Sequence, residues 1–168
     1  MGVVRAPEGF EEFVARASPR LLRTAYLLTR DPGHAEDLVQ TALARAWRSW
    51  RRITGDPEPY VRRILVNTHA TWWRRRWRGE APTGELPELS GEPEQLAVDE
   101  REWLWQALGR LPPRQRAVLV LRFFDDLAEA QVADLLGCSV GTVKSQSSKA
   151  LAKLRVDETI RTEEGTRR

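Results

Sequence analysis

Residues 128–155 read AEAQVADLLGCSVGTVKSQSSKALAKLR, and their spacing predicts two short-coupled helices. Val132, Ala133 and Leu136 fall on one apolar face at helical intervals. Gly137 follows where the chain must reverse, and glycine alone reaches a left-handed backbone without cost. Ala133 is small enough for two helices to cross closely. Ser139 then offers a hydroxyl to the free N–H groups that open the next helix. Val140, Val143, Ala150, Leu151 and Leu154 are the expected buried side of that second helix. Its opposite face carries Thr142, Lys144, Ser145, Gln146, Ser148 and Lys149. Hydrogen-bonding and cationic groups near a helix N-terminus suit a helix lying in a major groove, where lysine reads guanine edges and glutamine adenine edges. An ordinary helical hairpin with a solvated face is the competing reading. Cys138 is expected to be a small, buried filler and not a redox group.

Working outward, Pro112-Pro113 starts a helix whose residues 114–123 place Val118, Leu119, Leu121 and Phe123 toward a core. Residues 99–108 are amphipathic. Residues 79–95, GEAPTGELPELSGEPEQ, hold three prolines, three glycines and no aromatic residue. Proline stops helices and glycine adds backbone freedom, so this segment reads as a linker. Its extended reach is roughly 55–60 Å, comparable with about 16–18 base pairs at roughly 3.4 Å each. The expected domains are therefore 5–78 and 96–157, joined by a flexible linker over 79–95 and followed by a tail over 158–168.

The N-terminal half also reads as helical. Residues 10–28 form one stretch, expected to bend or restart near Ser18-Pro19. Asp31-Pro32-Gly33 reads as a turn ahead of a helix with Glu36 and Asp37 in its first turn, where the helix dipole favours acid. Val39, Leu43, Ala46 or Trp47, and Trp50 supply its apolar side. Pro57 and Pro59 open a further helix toward Arg78. No segment alternates as a strand does, so the fold class is all-α, two small helical domains.

That last helix ends in HATWWRRRWR, residues 69–78. Trp72, Trp73 and Trp77 interleave with Arg74, Arg75, Arg76 and Arg78. Indole faces stack on unpaired bases, and arginine tracks phosphate and stacks as well. The pattern suits a surface that holds separated strands. At least one of Trp72 and Trp73 is expected to serve the core, because a small helical domain needs large apolar residues.

Charge follows the same division. The net charge of the 168 residues is only +3, yet residues 57–78 hold 6 basic and 1 acidic side chains, 79–102 hold 1 and 8, and 103–156 hold 8 and 4. Two basic surfaces flanking an acidic spacer suit a polyanionic partner. With 41% apolar and 30% charged residues, the chain is neither disordered nor membrane-spanning in composition. Its N-terminus lacks the apolar stretch of a secretory leader. A single cysteine and two isolated histidines, His34 and His69, give no disulfide and no metal-site spacing. No paired acid and base or phosphate-cradling glycine loop is present. The expectation is a cytoplasmic protein with no catalytic residues, no metal, no cofactor and no membrane role.

These motifs resemble those of the group IV, or extracytoplasmic-function, sigma factors, and most of all the SigE-like group of actinobacteria. HAEDLVQTALARAW (34–47) is similar to region 2.2, which docks on the clamp coiled coil of the RNA polymerase β′ subunit. The resemblance implies polymerase contacts by Asp37, Gln40, Thr41 and Trp47, with Thr41 standing where many relatives carry glutamate. PEPYVRRILVNTHATWWRRRWR (57–78) resembles regions 2.3 and 2.4, which read and melt the promoter −10 element. The residues it implicates are Asn67, His69, Trp72, Trp73, Arg74, Arg75 and Arg76, with His69 in place of a base-holding tyrosine. GDPEPY (55–60) falls near a loop that captures a flipped −10 base in this family. LGRLPPRQRAVLVLRFFDDLAEAQVADLLGCSVGTVKSQSSKALAKLR (108–155) is similar to region 4, which reads the −35 element and docks on the polymerase β flap. The implied partners are core RNA polymerase, promoter DNA and, left open, an anti-sigma factor. A stand-alone helix-turn-helix regulator and a helical interaction module without DNA binding are the alternatives.

Overall fold

A computed structural model of the chain describes residues 4–77 and 98–166, with side chains over 4–75 and 102–156. The expected linker at 79–95, the side chains of Arg76 and Trp77, and Arg78 lie outside the described residues. Seven α-helices and no strand occur among those described: α1 (Phe10–Thr29), α2 (Pro32–Ser49), α3 (Pro57–Trp77), α4 (Val98–Arg110), α5 (Pro113–Leu119), α6 (Glu129–Leu136) and α7 (Val140–Thr166). The chain divides into two compact units, Met1–Ser90 and Gly91–Arg168. The all-α expectation therefore holds.

In the first unit α2 packs against both α1 and α3. Phe13, Ala17, Leu21, Ala25 and Leu28 line the inner face of α1 at steps of three and four. They meet Ala35, Leu38, Ala42 and Ala46 of α2 and Val61, Leu65 and Val66 of α3, all of them buried. Each fully buried leucine or valine contributes about 1.5–3 kcal/mol of transfer free energy. The alanines of α2 leave room for helices on both sides. Phe10 closes one end, with the Trp47 and Trp50 rings edge-on at 5.0 Å each. The Trp50 indole N–H donates to the Glu8 carbonyl at 2.9 Å, so its polar edge is satisfied.

Two N-terminal expectations need correction. Helix α1 runs through Pro19 without a restart. Proline removes the bond to the carbonyl four residues back, that of Ala15, and both residues are exposed. Water can serve that carbonyl, so the helix survives. Likewise Asp31-Pro32-Gly33 is the helix start itself. Asp31 caps α2 by accepting the His34 N–H at 2.8 Å, and Pro32 sits just inside. Glu36 and Asp37 consequently lie beyond the first turn.

In the second unit the Arg116 guanidinium donates to the carbonyls of Leu108 and Leu111, at 2.9 and 3.2 Å. It closes the end of α4 from α5. Helix α5 widens into a π turn at Val120–Phe124, where the Asp125 N–H reaches back five residues to the Val120 carbonyl at 3.0 Å. That extra residue rotates Phe123 out of the expected core. It is 53% exposed, with the Arg122 guanidinium over its ring, 5.6 Å from the centroid. Val118, Leu119 and Leu121 are buried as the spacing predicts. The residues set aside as a tail continue α7 as far as Thr166.

Candidate nucleic-acid interface

The turn between α6 and α7 forms as its residues dictate. Gly137 has φ +65°, and the Gly137 and Cys138 N–H groups bond back to the Asp134 and Ala133 carbonyls at 3.4 and 3.0 Å. This paired closure satisfies the end of α6. Cys138 is half-buried. The start of α6 is held from the other side, because the Gln131 side-chain oxygen accepts the Ala128 N–H at 2.8 Å. Ser139 caps α7, accepting the Thr142 N–H at 3.1 Å, while its hydroxyl lies 2.9 Å from that of Thr142.

Helix α7 buries Val143 and Ala150 completely and half-buries Ser147, Leu151 and Leu154. Val140 departs from its expected place. It is 39% exposed, because it is the first residue of α7, where the apolar stripe runs out. Lys144, Ser145, Ser148 and Lys149 are exposed, and their one- and four-residue steps put them on a single face. Thr142 and Gln146 are half-buried and flank that face. The surface is thus cationic and rich in hydroxyls, beside a helix N-terminus, and fits phosphate oxygens and base edges together.

Sequence reasoning missed one member of this surface. Glu129, in the first turn of α6, has one carboxylate oxygen 3.9 Å from the Lys144 ammonium and the other 3.9 Å from the Arg122 guanidinium. Arg122 also donates to the Leu127 carbonyl at 2.7 Å. The acid therefore sits between two cations that come from different elements.

The second surface lies on α3. Val61, Leu65 and Thr68 form its buried stripe, 0%, 0% and 1% exposed. Trp72 continues the stripe one turn later and is half-buried, as are His69 and Trp73. Neither tryptophan is fully buried, and Trp72 serves the core only as the half-buried end of its stripe. The cores of α1 and α2 are already filled by their own phenylalanine, leucine and alanine side chains. Asn67, Arg74 and Arg75 are exposed. Arg74 bonds back to the Ala70 carbonyl at 3.3 Å, and Thr71 to that of Asn67 at 2.9 Å.

The opposite end of α3 is acidic and closed. Asp56 accepts the Glu58 N–H at 3.0 Å, and the Glu58 carboxylate is held by Arg20 at 3.2 Å and Arg62 at 3.3 Å. Glu58 is the lone acid between residues 57 and 77, so the helix is neutralised at its start and cationic at its end. The GDPEPY stretch is part loop and part helix: Gly55 turns at φ +76°, and α3 begins at Pro57. Half-buried indoles beside exposed guanidinium groups offer stacking faces and counter-charge in one place.

On α2, Asp37 and Gln40 are exposed and Thr41 is half-buried. Trp47 is half-buried and committed in part to Phe10, as its edge-on ring shows. Arg45, four residues beyond Thr41, spans to α3 and donates to the Thr68 hydroxyl at 3.0 Å.

Comparison with known proteins agrees with this geometry. The model of "Sigma-70 region 2" matches residues 13–79, and that of "Sigma-70, region 4" matches residues 101–154. The RNA polymerase sigma-E factor of Streptomyces coelicolor is 42% identical over 148 residues, covering 87% of this chain and 84% of that protein. The ECF RNA polymerase sigma factor SigG of Mycobacterium tuberculosis is 32% identical, covering 89% of this chain and 50% of that protein. Among solved structures, the sigma factor RpoE of Bartonella quintana, in complex with the anti-sigma factor NepR, shares the fold at a TM-score of 0.77. Its identity is 24%, covering 92% of this chain and 99% of that one. With both sigma regions matched in order and relatives aligned over most of its length, the chain belongs to the extracytoplasmic-function sigma factors, the alternative sigma factors that direct transcription initiation.

Proposed function

We propose that the two surfaces divide promoter recognition between them. The exposed face of α7, with Lys144, Ser145, Ser148 and Lys149, reads the −35 element, flanked by Thr142 and Gln146. The end of α3 handles the −10 element: His69, Trp72 and Trp73 stack on unpaired bases, and Asn67, Arg74, Arg75 and Arg76 hold the backbone. Asp37, Gln40, Thr41 and Trp47 on α2 face the clamp coiled coil of the polymerase β′ subunit, and the second unit docks on the β flap. Residues 5–78 and 96–157 are the two working domains, and 79–95 tethers them.

The observation that carries this reading is the contrast between the faces. One offers hydrogen bonds and positive charge suited to paired DNA, the other offers aromatic rings suited to separated strands. A modest net charge of +3 implies weak DNA affinity for the chain alone. Binding to core polymerase raises the effective concentration of both surfaces at the promoter. The chain works by binding in the cytoplasm, without a reaction or cofactor of its own. An anti-sigma factor is a further candidate partner, since the solved relative RpoE is held by one.

Run-off transcription with core polymerase tests the proposal. The chain is expected to co-elute with core enzyme and yield promoter-dependent transcripts. Tight binding to palindromic DNA as a dimer, with no effect on core enzyme, would instead support a stand-alone regulator. Absence of both transcript and co-elution refutes the reading.

A further inference from the structure

We propose that Arg45 is a positioning residue that, through Thr68, sets the register of α3 against α2 and so aims Trp72 at separated DNA. The inference rests on the reading of α3 as the melting helix.

Thr68 is 1% exposed and is the last fully buried rung of the stripe Val61, Leu65, Thr68. Trp72 stands four residues further, about 6 Å along the axis, and is already half-buried. The rungs below Thr68 are apolar. The hydrophobic effect that drives those rungs together is itself non-directional. A hydrogen bond has a preferred distance and angle. The 3.0 Å bond from the Arg45 guanidinium to the Thr68 hydroxyl therefore supplies the directional restraint at the rung where α3 begins to leave its cover. The donor is charged, which makes the bond stronger than a neutral pair.

The placement of Arg45 adds to the argument. Asp37, Thr41 and Arg45 are spaced by four on α2, so they form one stripe along the helix. Its first two members are those assigned to polymerase, and the third grips α3. The restraint thus ties the rung below Trp72 to the polymerase-facing helix and not to a loop. Thr68 is central to this: an aliphatic side chain there would fill the same space without accepting the bond.

Thr68→Val removes the acceptor, keeps the shape and leaves the face of α2 untouched. In reconstituted holoenzyme it should reduce permanganate reactivity of the −10 bubble by about fivefold, since small misplacement of a working group can cost up to about 10²-fold. Co-elution with core enzyme and the melting midpoint should stay at wild-type values. Thr68→Ser, which restores a hydroxyl, should recover most of the bubble. Adding Arg45→Ala to Thr68→Val should cause no further loss of bubble, because the two residues act through one bond. Wild-type opening by Thr68→Val overturns the inference. So does a bubble loss matched by lost co-elution or a lower melting midpoint, which is the mark of a merely structural role, or an independent further loss in the double variant. If wild-type holoenzyme forms no promoter-dependent bubble, the reading of α3 itself fails and the inference falls with it; a wild-type bubble that Thr68→Val preserves sinks the inference alone.

Discussion

The two units present the residues proposed for DNA in opposite ways. In the first, the aromatic rings of α3 are half-buried continuations of the stripe that builds the core, so Trp72 follows Leu65 and Thr68 along one helix face. In the second, Lys144, Ser145, Ser148 and Lys149 stand on the face of α7 away from Val143 and Ala150. Work on unpaired bases needs large apolar surfaces, which a fold tends to draw inward. Work on paired DNA needs polar groups that water already solvates. Function and stability are therefore entangled at the rings of the first unit and separable on the contact face of the second.

The strongest test of this contrast is Trp72→Ala. Stacking is worth about 1–3 kcal/mol per base, so promoter opening should fall by about five- to a hundredfold in permanganate footprints. The half-buried ring also shields core surface, and its loss should lower the stability of the first unit by about 1 kcal/mol, read as a lower thermal midpoint. Trp72→Phe, which keeps a ring, should recover part of both. A Trp72 variant that loses opening with no thermal shift would break the comparison, because the ring would then be separable from the fold after all.

Legibility in the sequence follows the range of the interactions. The α6–α7 turn was readable because its determinants are local: Gly137 needs only its own φ, and Ser139 bonds to a residue three positions on. The burial of Val143 and the exposure of Lys149 follow from helical period. That α1 would run through Pro19 without a restart was not readable, since it depends on which face of the helix meets water. Nor was the outward turn of Phe123, because a π turn adds one residue to a period that pattern reading assumes constant. Arg45 and Thr68 are 23 positions apart, and Glu129 and Lys144 meet only after α6 and α7 fold together. Such pairs are products of tertiary packing, and each member alone reads as an ordinary exposed charge or helix threonine.

Gly137→Ala probes the second unit where its fold, not its contact face, is at stake. At φ +65° an alanine is strained, although nothing lies within 4 Å of the added carbon. The cost is thus backbone alone, about 1–2 kcal/mol, and should appear as a lower thermal midpoint of the second unit. If the two properties are separable there, DNA affinity measured well below that midpoint should stay within about twofold of wild type, a free-energy change of about 0.4 kcal/mol. A larger affinity loss would show that the aim of α7 depends on the turn as closely as Trp72 depends on α3.

The smallest expected effect is the cleanest. Glu129 is half-buried and its carboxylate lies 3.9 Å from both Lys144 and Arg122. A DNA phosphate reaching Lys144 must compete with that carboxylate. Glu129→Gln keeps the shape and removes the competitor, so the full chain should bind a duplex of fixed sequence about two- to threefold more tightly at low salt, the scale of a partly exposed ion pair. The gain should shrink as salt screens the charges. Anisotropy titrations at two salt concentrations read this directly, and the thermal midpoint should barely move. Weaker binding would mean that Glu129 holds Lys144 in place for DNA instead of competing for it. The contact face of the second unit would then be as dependent on its surroundings as the rings of the first.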